Sequence, residues 1–165
     1  MIKKIILPLV GVALFIVAVG VLMQKTGFIP SSQKSPSPKA QSTITINNKT
    51  LNVDVVKTSE EREKGLSGRS TLDPNSGMVF IFDTKGPVPS FWMKGMLIPL
   101  DIIWIRDGKI IKIDKNVQIP AANTPDNKLK IYSPGKTINY VLEVNAGFSD
   151  TNLVKVGDSV TFSGI

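Results

Sequence analysis

The sequence contains no cysteine and no histidine among its 165 residues. Without cysteine there is no disulfide and no thiol nucleophile, and without histidine there is no Ser-His triad and no typical zinc, copper or haem site. A metal ion would have to be bound by oxygen ligands alone, which suits Ca²⁺ or Mg²⁺. Because the chain has no acidic loop of the D-x-D-x-D kind, the sequence predicts no metal site and no cofactor.

Acidic residues are also missing from the first 40 positions, which contain five lysines and therefore carry a charge of +5. The rest of the chain contains 15 basic and 13 acidic residues, so it is nearly balanced. Nucleic-acid-binding proteins usually cluster Lys and Arg within the folded part. The uneven charge therefore indicates a membrane surface rather than DNA or RNA as the partner.

A long apolar run, Ile5–Met23, follows Lys3 and Lys4. As a helix it would be roughly 28 Å long, close to the thickness of the hydrocarbon core of a bilayer. A cleaved secretory signal is the alternative, but the run is long for a signal and no small-residue cleavage site closes it. We predict that residues 1–23 form an N-terminal transmembrane helix in the cytoplasmic membrane, which they contact through residues 5–23. The N-terminus would be inside the cell and the rest of the chain outside.

Ser, Pro and Lys dominate the next segment, Gln24–Gln41. Its apolar residues are too few to build a core, so we predict a disordered linker over residues 24–41. The linker would tether one folded domain, residues 42–165, to the membrane.

Apolar and polar residues alternate with period two through much of residues 42–165, which indicates β-strands. Asn47-Asn48 and Asp107-Gly108 each separate two such runs and predict tight hairpin turns. One short helix is predicted before Gly65, where Thr58 and Glu61 can form a capping box.

Eight or so short strands with one short helix predict a mainly β fold. The strand pattern is compatible with an antiparallel sandwich or a partly open barrel.

The densest mixture of large apolar and ionisable side chains is Ser90–Asp101, which reads S-F-W-M-K-G-M-L-I-P-L-D. Such a stretch is either the centre of a core or the wall of a pocket. Lys94, Asp101 and Glu143 are the ionisable residues in the most apolar surroundings. They indicate either a site whose protonation is tuned by burial and mutual charge, or a structural ion pair.

Three further side chains have both a functional and a structural interpretation. Arg62 and Arg69 lie on either side of a glycine-rich bend, where they can bind an anionic ligand or pair with acids of the protein. Trp92 can stack on a sugar ring or pack in a core. The candidate ligand-binding residues are therefore Arg62, Arg69, Trp92, Lys94, Asp101 and Glu143, and no catalytic residue is assigned.

Asp101 directly precedes the apolar segment Ile102–Ile105, so we expect its carboxylate to be shielded from water. A shielded carboxylate needs hydrogen-bond donors. We predict a charge-assisted hydrogen bond from Lys94, Arg62 or Arg69.

Five motifs, in this order, resemble the bacterial and archaeal family known as domain of unknown function 192. They are R-E-K-G-L-S-G-R at Arg62–Arg69, G-M-V-F-I-F at Gly77–Phe82, F-W-M-K at Phe91–Lys94, I-P-L-D at Ile98–Asp101 and V-L-E-V-N-A-G at Val141–Gly147. The resemblance implies a mostly β fold, often extracytoplasmic behind a signal or an anchor, and it implies no activity. The chain differs from the family pattern at Gly95-Met96, where an Asn-Thr pair is usual, and at Ser67, where Met is frequent.

Taken together, these observations favour a membrane-tethered extracytoplasmic β domain that binds a small polar ligand, such as a small anion or an envelope glycan. A hydrolase of envelope material that uses Asp101, Glu143 and Lys94 is one alternative. A scaffold that binds another protein through a sheet edge is the other.

Overall fold

The computed structural model describes residues 41–165. Seven strands follow one another as β1 (Thr43–Ile46), β2 (Lys49–Val56), β3 (Ser76–Ile81), β4 (Leu100–Arg106), β5 (Lys109–Val117), β6 (Tyr140–Asn145) and β7 (Val160–Ser163). The described helices are α1 (Ser59–Lys64), a 3₁₀ turn (Asp126–Lys128) and α2 (Phe148–Thr151).

Within residues 41–165, none of the helices has the length and apolar character needed to cross a membrane. The predicted anchor over residues 1–23 lies outside the described residues. The predicted linker over residues 24–41 does so too, except for its last position.

The seven strands form one sheet in the order β5-β4-β6-β3-β2-β1-β7. Its two edges approach each other, because Lys109 at the start of β5 forms a bridge with Ser159 just before β7. Beside this bridge the Ile110 N–H donates to the carbonyl of Asp158 at 3.0 Å. The sheet is thus curled into a partly open barrel, one of the two predicted architectures, and not into a two-sheet sandwich.

The sheet is mixed, whereas the predicted sandwich was antiparallel. β2 and β3 run parallel, with Val53 opposite Gly77 and Val55 opposite Val79, whereas the other neighbouring pairs are antiparallel. Parallel neighbours need a crossover rather than a tight turn. The connection between β2 and β3 contains α1 and is such a crossover.

Apolar side chains are buried on both faces of the sheet. On β4, Ile103 and Ile105 belong to a core inside the curl, the inner core. Ile102 and Trp104 belong to a second core on the opposite face, the outer core. The central strands are therefore covered on both sides, which explains why G-M-V-F-I-F is apolar at nearly every position.

Both predicted hairpin turns are confirmed. Asn47 and Asn48 have φ of 48° and 64°, and Asp107 and Gly108 have φ of 50° and 70°. A two-residue turn with positive φ at both positions matches the twist of the strands it joins, and Asn, Asp and Gly adopt this conformation most readily. Local chemistry thus determines both turns.

The predicted capping box on α1 is confirmed as well. The Glu61 N–H donates to the Thr58 hydroxyl at 3.2 Å, and the Thr58 N–H donates to the Glu61 carboxylate at 3.0 Å. Backbone hydrogen bonds from Thr58 and Lys57 lower the pKa of the Glu61 carboxyl. Gly65 ends the helix, so α1 is held at both ends beside the outer face of the sheet.

The described residues contain two short α-helices where the sequence predicted one. The additional helix, α2, begins after Gly147, whose φ is 84°. With four residues it is barely one turn long, too short to show a 3.6-residue pattern.

Candidate functional site

A cavity of about 380 Å³ opens on the outer face of the sheet. Its walls come from β3, β6, the end of α1 and the loop that leads from β3 to β4. The lining residues are Arg62, Glu63, Lys64, Gly65, Ser67, Phe80, Phe82, Pro89, Ser90, Phe91, Trp92, Lys94, Met96 and Glu143. The structure therefore brings together four of the six candidates: Arg62, Trp92, Lys94 and Glu143.

Glu143 lies at the centre of the sheet, on β6 between β3 and β4. Its neighbours across the strands are Met78 and Ile102, both buried in the outer core. The residue is only 5% exposed, and its carboxyl has no hydrogen bond or ion pair with any residue in the described part of the chain. Burial raises the pKa of Glu143 to about 8, so the carboxyl is mostly neutral at neutral pH.

Aromatic rings form the wall around this carboxyl. Phe91 meets Phe80 edge to face with ring centroids 4.9 Å apart, and Phe82 at 6.0 Å. Behind them, Phe91 also packs edge to face on Trp104 at 5.4 Å, and Trp104 is fully buried. Such mutually packed rings are stiff, so the wall of the cavity is preformed.

Arg62 is fixed at the edge of the cavity by two contacts. One guanidinium N–H donates to the carbonyl of Ile81 at 2.8 Å, and the guanidinium carbon lies 5.2 Å from the centroid of the Phe82 ring. A guanidinium has five N–H donors, so most of them stay available for an anion.

Trp92 and Lys94 lie at the opening of the cavity. Trp92 is 47% exposed, so its indole is not part of a core. The Lys94 ammonium pairs with Asp126 at 2.6 Å, and both side chains are largely exposed. A surface pair of this kind contributes about 0–1 kcal/mol, so it positions Lys94 without holding it firmly.

Asp101 lies on the opposite face of the sheet from Glu143. It is fully buried on β4, one position before Ile102, the cross-strand neighbour of Glu143. Because successive residues of a strand point to opposite faces, Asp101 faces the inner core. The predicted burial of Asp101 is confirmed.

The prediction that Lys94, Arg62 or Arg69 donates to Asp101 is wrong. The carboxylate accepts three backbone N–H bonds, from Asn116 at 2.8 Å, Gly147 at 3.1 Å and Ser149 at 2.8 Å. These three backbone donors satisfy the Asp101 carboxylate. The three predicted cations do not reach it, since Lys94 and Arg62 lie at the cavity on the other face of the sheet.

Arg69 is likewise absent from the cavity. It pairs with Asp54 at 2.8 Å beside a larger polar cleft of about 720 Å³. Both partners are about half exposed, and the cleft is lined by exposed polar side chains and turns. We place the candidate site in the smaller cavity, because it alone contains a buried ionisable group without a partner among the described residues.

Sequence reasoning missed the aromatic wall as part of the site. Phe80 and Phe82 alternate with Ile81 on β3 and its extension, so period two placed them on the same face as Met78. Val141 and Glu143 show the same alternation on β6. The signal was present, but it requires knowing that β3 and β6 are neighbours.

Two positions at which the chain differs from the family pattern contact each other beside this cavity. Gly95 has a φ of 67°, and a Cβ added to it would collide with the Ser67 hydroxyl. The Gly68 N–H also donates to the carbonyl of Gly95 at 2.9 Å. Gly95 and Ser67 therefore form one matched contact, and a larger residue at position 95 would need a different neighbour.

Comparison with known proteins gives a family but no activity. The family DUF192, described as Uncharacterized ACR, matches residues 42–162. No curated protein matches the chain.

Solved structures share the fold, among them the following two. A protein of unknown function from Novosphingobium aromaticivorans is 27% identical over 73% of this chain and 83% of its own, with a TM-score of 0.63. A protein from Sinorhizobium meliloti, described as a "putative transcription regulator", is 28% identical over 79% of this chain and 100% of its own, with a TM-score of 0.65.

Proposed function

Because the chain belongs to the DUF192 family, whose description states no activity, we propose a function from the geometry of the site: the domain binds a small polar ligand in the cavity above Glu143. We propose further that this binding module is tethered to the outer side of the cytoplasmic membrane. The apolar run over residues 5–23 supports the anchor, and the composition of residues 24–41 supports a flexible tether.

The observation that carries the binding proposal is the Glu143 carboxyl. A polar group with so little exposure normally has a hydrogen-bond partner. Glu143 has none among residues 41–165, yet it borders an open cavity rather than a closed core. A polar group of a bound ligand would supply the missing partner.

The aromatic wall supports a ligand with an apolar face. Phe80 and Phe91 flank the deep end of the cavity, and Trp92 stands at its opening. Aromatic side chains provide large, rigid contact surfaces with specific geometry. A sugar unit of an envelope glycan, with hydroxyl groups on its edges and C–H groups on its faces, has this combination of properties.

The hydrolase alternative gains no support from the geometry. Glycoside hydrolysis uses two carboxyl groups that face the same bond from roughly 5–9.5 Å apart. Asp101 and Glu143 lie on opposite faces of the sheet, and Glu63 is exposed at the edge of the cavity. Binding is therefore the function that the site supports best.

Tryptophan fluorescence of the full-length chain tests the proposal, because the chain has two tryptophans in contrasting places. Trp92 stands at the cavity and Trp104 is fully buried. We expect saturable changes in emission when N-acetylglucosamine, glucose, glycine or phosphoethanolamine binds. Trp92→Phe should abolish the change and Trp104→Phe should retain it. Amide NMR shifts that move only at residues remote from the cavity, or at none, would contradict the proposal.

A further inference from the structure

Charge is ordered along the depth of the Glu143 cavity. The acidic group is buried at the inner end, whereas Arg62 and Lys64 from α1 and Lys94 from the loop lie at the opening. Arg62 is partly buried, and Lys64 and Lys94 are exposed. A ligand that enters thus passes three positive side chains and one exposed carboxylate, Glu63, before it reaches Glu143.

We propose that the ligand of this cavity is a small zwitterion that enters ammonium end first, with its phosphate or carboxylate group at Arg62. This inference rests on the proposed binding function and specifies the chemical class of the ligand.

The inner end of the cavity is suited to an ammonium group. Glu143 is acceptor-only once it is ionised, and it has no donor among residues 41–165. An ammonium offers up to three donors and a full opposite charge at a desolvated position. Phe80 and Phe91 line the same region, and aromatic faces attract cations within about 6 Å. A neutral hydroxyl group would not use the charge.

The opening of the cavity is suited to an anion. The Arg62 guanidinium is held in place by Ile81 and Phe82, so it binds with little loss of side-chain freedom. No ion pair is formed by Lys64 within the described part of the chain, and Lys94 is partly neutralised by Asp126. Glu63 is the opposing charge at the edge. The Arg62 guanidinium and the unpaired Lys64 ammonium outweigh this single negative charge, so the opening favours a phosphate or carboxylate group.

Binding of such a ligand is coupled to the release of one proton. The uncomplexed carboxyl of Glu143 is mostly protonated at neutral pH because burial raises its pKa, and pairing with an ammonium requires the ionised form. The residues across the strands, Met78 and Ile102, are apolar. The charged groups around the cavity are Arg62, Glu63, Lys64 and Lys94. Since the nearest neighbours do not titrate, the proton released by the protein comes from Glu143 itself. A phosphate group, whose second pKa is about 6, adds a fraction of a proton of its own.

Isothermal titration calorimetry of the full-length chain near neutral pH tests this with four probes. Phosphoethanolamine carries both charges, ethanolamine only the ammonium, inorganic phosphate only the anion, and glucose neither. We expect phosphoethanolamine to bind at least about tenfold more tightly than the other three. Titrations in buffers of different ionisation enthalpy should show release of close to one proton, and affinity should rise with pH until Glu143 is ionised.

Variants separate the two ends of the ligand. Glu143→Gln should lower the affinity for phosphoethanolamine to that for phosphate and abolish the proton release that comes from Glu143. Arg62→Lys should weaken the binding of phosphoethanolamine and phosphate severalfold and leave that of ethanolamine unchanged. Glu60→Gln removes an exposed carboxylate of α1 that does not line the cavity, and it should change nothing.

The outcomes distinguish this inference from the proposed function. If glucose binds as tightly as phosphoethanolamine and releases no proton, the zwitterion assignment is wrong and the binding module stands. If no probe binds and amide NMR shows no shift at the cavity, both are wrong. Tight binding of phosphoethanolamine that survives Glu143→Gln with proton release intact would also overturn the assignment.

Discussion

Two buried carboxyl groups lie on neighbouring strands of the same sheet and face opposite sides. Asp101 is fully buried and Glu143 is 5% exposed, so burial does not distinguish them. Their donors do. Asp101 accepts three backbone N–H bonds, whereas Glu143 has no partner in residues 41–165. One carboxyl group is satisfied by the backbone, and the other has no partner in the described residues and borders a cavity.

The difference shows how a small sheet can combine a closed core with an open cavity. The inner core is closed by the curl of the sheet and by the connection that carries α2. The outer core is covered by α1 and irregular loops, which leave the cavity open. The Glu143 carboxyl, which has no partner in residues 41–165, lies on the side that the cavity leaves open. The comparison makes four predictions about stability.

Replacing the architectural carboxylate should have the largest effect. Asp101→Asn replaces a charged acceptor by an amide whose NH₂ group faces backbone donors. We expect a loss of about 3–5 kcal/mol in the free energy of unfolding, because several hydrogen bonds to a buried charged group are weakened at once. Urea unfolding measures this loss of stability. Asp107→Asn, on the exposed turn between β4 and β5, is the matched control and should change stability by less than about 0.5 kcal/mol. Equal effects of the two substitutions would remove the distinction drawn for Asp101.

Replacing Glu143 by its amide should have the opposite effect on the free energy of unfolding. The pKa of Glu143 is raised to about 8 from an ordinary value of 4.5. Between these values the unfolded chain releases a proton that the folded chain keeps, so this group reduces stability progressively as pH rises from about 4.5 to 8. Near pH 7, Glu143→Gln should therefore stabilise the protein by about 3 kcal/mol, since each pKa unit corresponds to about 1.4 kcal/mol.

Urea unfolding at about pH 4 and at about pH 7 measures this dependence. At about pH 4 the glutamate is protonated in both states, and the variant and the parent protein should have similar stability. Glu60→Gln is the control for loss of an exposed charge. A Glu143→Gln protein that is less stable than its parent near pH 7 would mean that the carboxyl is ionised and paired in the folded protein.

Gly147 tests the backbone that surrounds Asp101. Its N–H donates to the carboxylate, and its φ of 84° is unfavourable for a residue with a side chain. Gly147→Ala should cost about 1–2 kcal/mol, measured by thermal or urea unfolding. Nothing lies within 4 Å of an added Cβ, so the cost arises from the backbone and not from a clash. An unchanged midpoint would show that this backbone conformation relaxes without weakening the Asp101 contact.

Ser149 should give the smallest effect. Its N–H donates to Asp101, but its hydroxyl is buried without a hydrogen-bond partner among the described residues. Ser149→Ala removes that hydroxyl and keeps the N–H, so we expect stability to be unchanged or to rise by up to about 1 kcal/mol. A marked loss in urea unfolding would indicate that the hydroxyl, and not the backbone alone, supports the carboxylate.

The sequence predicted those features that short-range chemistry determines. The Asn47-Asn48 and Asp107-Gly108 turns and the Thr58 cap each depend on residues within a few positions of one another, and all three are confirmed. The parallel pair of β2 and β3 depends on how a crossover packs, which a strand pattern does not contain. The resemblance to DUF192 is confirmed over residues 42–162, and it identified the family without identifying a site.

The donors to Asp101 show why the rest of the candidate site could not be predicted from the sequence. Arg and Lys are visible in a sequence as donors, whereas every residue except proline carries a backbone N–H. The N–H groups that bind Asp101 come from positions 15, 46 and 48 residues away and have no signature of their own. Conversely, the ionisable candidates that line one cavity are Arg62, Lys94 and Glu143, and no salt bridge joins them to one another.

The pairing of β1 with β7 has a consequence for the order in which the domain assembles. Thr43 is opposite Ser163, so the first strand of the domain to leave the ribosome hydrogen-bonds to the last. Until β7 has been synthesised, β1 can complete only its hairpin with β2, and one edge of the nascent sheet stays open. If the domain is exported as proposed, its sheet stays incomplete while the chain is crossing the membrane. Its passage across the membrane need not compete with a completed fold.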